Sequence, residues 1–304
     1  MKKIYLFLLF LTLINLPIMA CDICGCGVGS YYLGLTPQFA KNFVGLRYRN
    51  MSYNSHVGMG EMFATKEYFQ STELWTRYYI KPKLQLMAFV PYSFNSQETT
   101  DKTLYINGLG DITLLANYNI INTITDTIPH KVNHTLWFGG GIKFQTGKYE
   151  YDENNNSQVA NPNFQLGTGS TDFMLNLVYT LRYKNIGFSG DISYKMNTRN
   201  SQNYLFGNRT NGSLSGFYVQ RISSKITMMP NAGFYGEYSR FDKRGANAVE
   251  HTGGYLIATS LGVETYLFSC FSVGVNYQKP LSQDLADGQI VGNDRFLVSF
   301  NVMF

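Results

Sequence analysis

The stretch 293–304 constrains this chain more than any other. Phe296, Val298, Phe300, Val302 and Phe304 alternate with polar positions that include Arg295, Ser299 and Asn301. A period of two is the signature of a β-strand. One of its faces suits lipid or a core and the other suits water.

The same alternation recurs along the chain, predicting strands at about 43–54, 67–80, 84–96, 110–122, 134–147, 170–183, 186–197, 210–222, 226–240, 253–268, 271–279 and 294–304. In the sixth, Phe173, Leu175, Leu177, Tyr179 and Leu181 oppose Asp172, Asn176, Thr180 and Arg182. In the tenth, Tyr255, Ile257, Leu261, Val263 and Leu267 oppose Ala258, Ser260, Gly262 and Glu264. The connections alternate as well. Residues 81–83, 184–185, 223–225 and 269–270 are short links, whereas 55–66, 97–108, 148–169, 198–209, 241–252 and 280–293 are long and polar; 123–133 is of medium length.

Only 15% of the residues are charged, against about 25% in soluble domains, and the mean hydropathy of −0.15 excludes a helical membrane bundle. Strands of a soluble sandwich are commonly about 5–6 residues long, and a sandwich would leave these longer apolar rows exposed. The fold class expected is therefore all-β: a closed antiparallel transmembrane β-barrel of about 12 strands. Its final amphipathic strand ending in Phe304 resembles the end signal of bacterial outer-membrane barrels, which implies that location. An even strand count puts both termini on one side, the periplasm. Tyr68, Tyr78, Tyr92, Tyr118, Tyr183, Tyr194 and Tyr238 near strand ends are the expected aromatic girdles.

Three divisions follow: a signal peptide at 1–20, a Cys-rich amino-terminal periplasmic or plug segment at 21–42, and the barrel at 43–304. Lys2 and Lys3 precede an apolar run at 4–18 that closes on Met19-Ala20-Cys21, the layout of a secretory leader. The mature chain would then begin Cys21-Asp-Ile-Cys24-Gly-Cys26. Three thiols so close together are soft ligands suited to Cu(I), zinc or an iron–sulfur centre. The strand count places Cys270 in a periplasmic turn, so Cys21, Cys24, Cys26 and Cys270 form the candidate metal set. A disulfide in an oxidising compartment and acylation of Cys21 are the competing fates. His130 and His134, at the nearby 123–133 connection, read more simply as solvated residues.

By the same alternation, the inward-facing, pore-lining candidates are Arg47, Arg49, Glu73, Arg77, Lys143, Asp172, Arg182, Asp191, Lys195, Glu237, Glu264 and Arg295. Their signs are mixed, with no ring of one charge. Phe69, Met87, Phe89, Trp137 and Tyr235 add bulk, so a narrow or gated pore is expected rather than an open one. An outer-membrane lipid-modifying enzyme is a second class, but His56 and His251 have no Ser or acidic residue at a fixed spacing, and no catalytic residue is assigned. The net charge of +5 is dispersed, and a nucleic-acid partner is not expected.

Gly108-Leu109-Gly110-Asp111-Ile112 and Gly167-Thr168-Gly169-Ser170-Thr171-Asp172 each open a strand. In these motifs the chain resembles the outer-membrane transporters of the phenol meta-pathway family. The Cys21-x-x-Cys24-x-Cys26 start with Tyr32-Leu33-Gly34-Leu35-Thr36-Pro37-Gln38-Phe39 resembles a cysteine-headed subgroup of transporters. The resemblance implies transport of small, often apolar or aromatic molecules across the outer membrane, with outer-membrane lipid around the barrel. The thiols add a metal-ion cargo and a periplasmic partner to the expectations. A non-transporting envelope barrel with disulfide-bonded or lipidated cysteines is the alternative.

Overall fold

A computed structural model describes residues 41–56, 64–99, 101–125, 130–151 and 162–304. Twelve strands close into one antiparallel barrel. They are β1 (Phe43–His56), β2 (Ala64–Lys81), β3 (Leu84–Glu98), β4 in two pieces (Thr103–Leu109 and Thr113–Asn122), β5 (Val132–Lys143), β6 (Asp172–Tyr183) and β7 (Ile186–Met196), followed by β8 (Arg209–Tyr218), β9 (Ile226–Ser239), β10 (Gly254–Leu267), β11 (Phe271–Leu285) and β12 (Arg295–Met303). Each strand pairs with its sequence neighbours, and β12 closes the sheet on β1 from Phe43↔Met303 to Asn50↔Phe296. Closure leaves the sheet no open edge, which a bilayer interior demands.

The expected alternation sets the two faces. Phe296, Phe300 and Val302 are exposed on β12, while Arg295, Ser299 and Asn301 are buried. Leu46, Leu74, Leu86, Leu114, Phe138 and Leu175 continue the outer band through β1–β6, and Ile192, Leu214, Phe234 and Leu261 carry it through β7–β10. A contiguous apolar belt of this extent marks a lipid-facing surface. Exposed tyrosines flank it: Tyr78, Tyr118 and Tyr183 at one rim, Tyr92 and Tyr238 at the other.

The short links lie at the rim shared by both barrel termini, and the long connections lie at the other. Three prolines within strands coincide with irregularities, as a residue that cannot donate to the ladder requires. Pro91 on β3 lies opposite the break in β4, between the pairs Phe89↔Thr113 and Tyr92↔Leu109. Pro230 on β9 lies opposite the end of β8, between Asn231↔Phe217 and Met228↔Gln220. Pro280 pairs with Ala258 and Ser282 with Ile257, so Leu281 bulges outward from β11.

These devices explain where the observed strands depart from expectation. β11 continues past Pro280 to Leu285 instead of stopping at 279, because the bulge absorbs the proline. Residues 103–108, expected in the 97–108 loop, form with Leu109 the first piece of β4 against β3. β5 ends at Lys143 rather than 147.

Inside, two apolar layers bracket a charged middle. At the short-link end lie Phe43, Trp75, Met87, Phe89, Phe217 and Met303. At the long-loop end lie Met51, Tyr53, Phe69, Tyr235, Leu256 and Ile290, joined by Phe164 from the 144–171 connection. Where strands pass closely, side chains are excluded: a Cβ on Gly139 would fall 1.9 Å from Asn117 Oδ1 and 2.4 Å from the Ala116 carbonyl, whereas one on Gly236 would meet nothing within 4 Å. Gly139→Val is expected to abolish most of the folded, heat-modifiable species on electrophoresis, and Gly236→Ala to leave it intact.

Candidate functional site: the charged interior

Each candidate charge sits on a strand position whose neighbours in sequence face outward, so the pleat directs it inward. Arg47 and Arg49 on β1 converge on Glu73 of β2, the second at 2.8 Å; all three are buried. Arg47 also lies over the Trp75 ring, 4.9 Å from its centroid. One carboxylate thereby crosslinks the first two strands and holds two guanidiniums at mid-height.

A second cluster is built around Lys143 at the end of β5. Its ammonium lies 2.5 Å from Asp111 and 2.9 Å from Asp172, and it also reaches Thr168 and the Ser170 carbonyl. Asp111 accepts the main-chain N–H groups of Gly147 at 2.9 Å and Thr168 at 3.0 Å. Asp172 accepts from Ser170 Oγ and from the Thr198 N–H, both at 2.9 Å. Gly147 and Gly167 pass here with no room for side chains, since a Cβ on Gly167 would lie 2.4 Å from Asp111 Oδ1 and 2.7 Å from the Gly147 carbonyl.

The two Gly/Asp motifs of the sequence thus meet in one knot, which pins both ends of the 144–171 connection. The described part of that connection turns inward. Phe164 is fully buried and meets Phe69 edge-to-face at 5.3 Å, and Leu166 is buried behind it. In the sequence, 148–169 reads as one polar loop, and the signal against that reading is the aromatic Phe164 within its Asn-rich stretch; Asp111 stands in a motif but not among the candidate site residues.

Arg295 on β12 reaches Glu237 on β9 at 2.7 Å and the Tyr53 hydroxyl at 3.1 Å. β9 and β12 are separated by β10 and β11, about 14 Å of wall at a strand spacing of ~4.8 Å. This pair is therefore a crossbar over the lumen and not a neighbour-to-neighbour tie. Tyr235 donates to the same Glu237 at 3.0 Å.

The other candidates lie apart. Arg77 donates to the Lys41 carbonyl at 3.0 Å and covers Phe43 at the short-link rim, with Glu264 and Tyr266 nearby. Asp191 accepts from Ser213, Lys195 is buried on β7, and Arg182 folds over its own turn onto the Lys184 carbonyl at 2.8 Å.

Of the cysteines, Cys21, Cys24 and Cys26 lie outside the described residues. Cys270 is partly exposed and forms no disulfide among the described residues. It is the last of the three residues, 268–270, between the paired Leu267 and Phe271; Phe268 and Ser269 both have positive φ, 51° and 61°, and the Cys270 N–H returns to the Leu267 carbonyl at 3.2 Å. The Cys270 carbonyl accepts the Met303 N–H at 2.6 Å, and Lys41 Nζ donates to the Ser269 carbonyl at 2.6 Å. The chain leading into β1 therefore runs past the Cys270 turn.

His134 lies in β5, not in the connection before it, and bonds the Tyr179 hydroxyl at 2.6 Å. His251 pairs with Asp287 at 3.0 Å among the long loops. No group of three His, Cys, Asp or Glu side chains converges as a metal site among the described residues.

No family model matches the chain, and no curated protein matches it either. Solved structures do. The chain resembles an outer membrane channel from Pseudomonas putida F1 with a TM-score of 0.60 at 13% identity, covering 87% of this chain and 96% of that one. It also resembles the β domain of the Bordetella autotransporter BrkA, with a TM-score of 0.53 at 10% identity over 87% of this chain and 100% of that one. The fold is that of outer-membrane β-barrels.

Removing one partner from a buried ion network costs about 3–5 kcal/mol. Lys143→Met is expected to destabilise the barrel on that scale in denaturant titrations from liposomes. The triple variant Lys143→Met, Asp111→Asn, Asp172→Asn is expected to recover much of the loss.

Proposed function

We propose that the protein is an outer-membrane channel for a small solute, conducting along the interior of the barrel. The observation that carries this reading is the charged middle layer. A barrel serving only as a wall gains little from burying Arg47, Arg49, Glu73, Lys143, Asp172 and Arg295, because burial of ions costs free energy that ion pairs repay only partly. A solute path needs such groups. The fold shared with an outer membrane channel and the motif resemblance to the phenol meta-pathway transporters support the same reading.

In this account the bacterial outer membrane surrounds the apolar belt, and the short links and both barrel ends face the periplasm. The two apolar layers and the Arg295–Glu237 crossbar narrow the path, so conduction is small or gated. Single-channel recording in planar bilayers is expected to show discrete openings well below those of a general porin. A purified, folded barrel that never conducts would contradict the proposal.

A soft-metal role for the cysteine cluster is a second element of the proposal. It is favoured by the Lys41–Ser269 contact, which brings the lead-in chain to the Cys270 turn and lets Cys21, Cys24 and Cys26 share an end of the barrel with Cys270. There the thiolates would hold copper(I) or zinc, as cargo or for a periplasmic partner. The full-length protein, reduced and exposed to copper(I) or zinc, is expected to retain metal through gel filtration and to retain less as Cys270→Ser. Intact disulfides with no bound metal would favour the structural alternative.

A further inference from the structure

The two rims of the barrel carry different charge. At the short-link rim Lys81, Lys83, Lys131, Lys184, Arg221 and Lys225 are exposed, spread over the connections β2–β3, β4–β5, β6–β7 and β8–β9. No exposed Asp or Glu side chain accompanies them among the described residues. Glu264, the acid nearest this end, is 8% exposed and faces inward beside Arg77. Asp126, in the same connection as Lys131, lies outside the described residues, and Phe304 adds one main-chain carboxylate. Arg221 stands close enough to Arg182 to repel it. At the long-loop rim, by contrast, charges of both signs meet, as in Lys148–Glu150 at 3.7 Å and His251–Asp287 at 3.0 Å.

The surroundings of these cations say what kind of anion they meet. The Lys184 ammonium lies 5.3 Å from the centroid of Tyr183, and the Lys225 ammonium 5.7 Å from that of Phe268. Both rings are exposed at the rim, where girdle aromatics mark the membrane–water boundary. Ile80, Ile186 and Ile222 are exposed beside the same cations and continue the apolar belt. Each cationic head therefore sits where that belt ends, around the circumference of the barrel and not over its lumen. Long basic side chains at this depth reach the head groups of a leaflet while their stems stay against apolar surface. A ring of Lys and Arg without exposed acids attracts anionic lipid.

We propose that the short-link rim is a docking ring for anionic glycerophospholipids, whose phosphates meet these lysines and Arg221 while their acyl chains lie on the belt. The inference rests on the barrel fold and is independent of the channel reading. In the orientation proposed above, the leaflet concerned is the periplasmic one. Because the cations are exposed, the attraction is screened by salt. A zwitterionic head group carries no net charge and gains little from the ring.

Electron spin resonance of the full-length protein in phosphatidylcholine vesicles tests this, with spin-labelled phosphatidylglycerol and spin-labelled phosphatidylcholine as the probes. The motionally restricted fraction is expected to favour phosphatidylglycerol by about threefold or more at low ionic strength, and the preference to fade at about 1 M potassium chloride. The quadruple variant Lys81→Gln, Lys83→Gln, Lys184→Gln, Lys225→Gln is expected to stay folded and heat-modifiable and to lose the preference. Lys66→Gln with Lys148→Gln, at the opposite rim, is expected to keep it. Equal restriction of the two labelled lipids by the wild-type protein, or a preference that the quadruple variant retains, would overturn the proposal. Polyglutamate that binds these vesicles through the same four lysines, with no preference between the labelled lipids, would assign the ring to an acidic protein partner and likewise overturn it.

Discussion

The pairing of β12 with β1 is the constraint on which the rest of this structure depends. Eight consecutive residue pairs, from Phe43↔Met303 to Asn50↔Phe296, remove the two edges that an open sheet would expose to hydrocarbon. Once the sheet closes, each inward position is enclosed. Side chains that would be solvated on an open sheet must then find partners across a confined space. The ion clusters follow from that confinement: Glu73 satisfies two arginines, Lys143 two aspartates, and Arg295 spans the lumen to Glu237.

Closure also explains how the interior comes to be layered. Apolar residues collect toward each end, where Phe43 and Trp75 pack edge-to-face at 4.4 Å and Phe69 meets Phe164. The middle keeps charge. The knot at Lys143 couples the two features, because Asp111 holds Gly147 and Thr168 and so directs the 144–171 connection into the barrel. One buried ammonium thus sets both the wall and the obstruction above it.

Much of the fold was legible because a strand announces itself by a period of two. The faces of β6, β10 and β12 follow directly from that period, and the alternation of short and long connections gives the pairing order. What escaped the sequence depends on contacts between distant segments. Pro280 reads locally as a strand end, yet a bulge at Leu281 carries β11 onward. Phe164 reads as part of a polar loop, yet it fills a space that exists only after the barrel closes.

Parity along each strand marks the inward charges singly, but which of them meet is not written in their spacing. Glu237 and Arg295 are 58 positions apart and join across three strand intervals. Asp111 lies at a break in β4 that only the register against Pro91 reveals. The cysteine cluster remained a reading of residue type, since spacing alone does not determine ligation.

The central claim is that a closed barrel meets lipid with one face of each strand and turns the other inward. Spin labels placed one at a time along 295–303 of the full-length protein in lipid vesicles test it most directly. The account predicts that collision with dissolved oxygen peaks at 296, 298, 300 and 302 and dips at 295, 299, 301 and 303. A profile without that period of two, or one with its phase reversed, would contradict it.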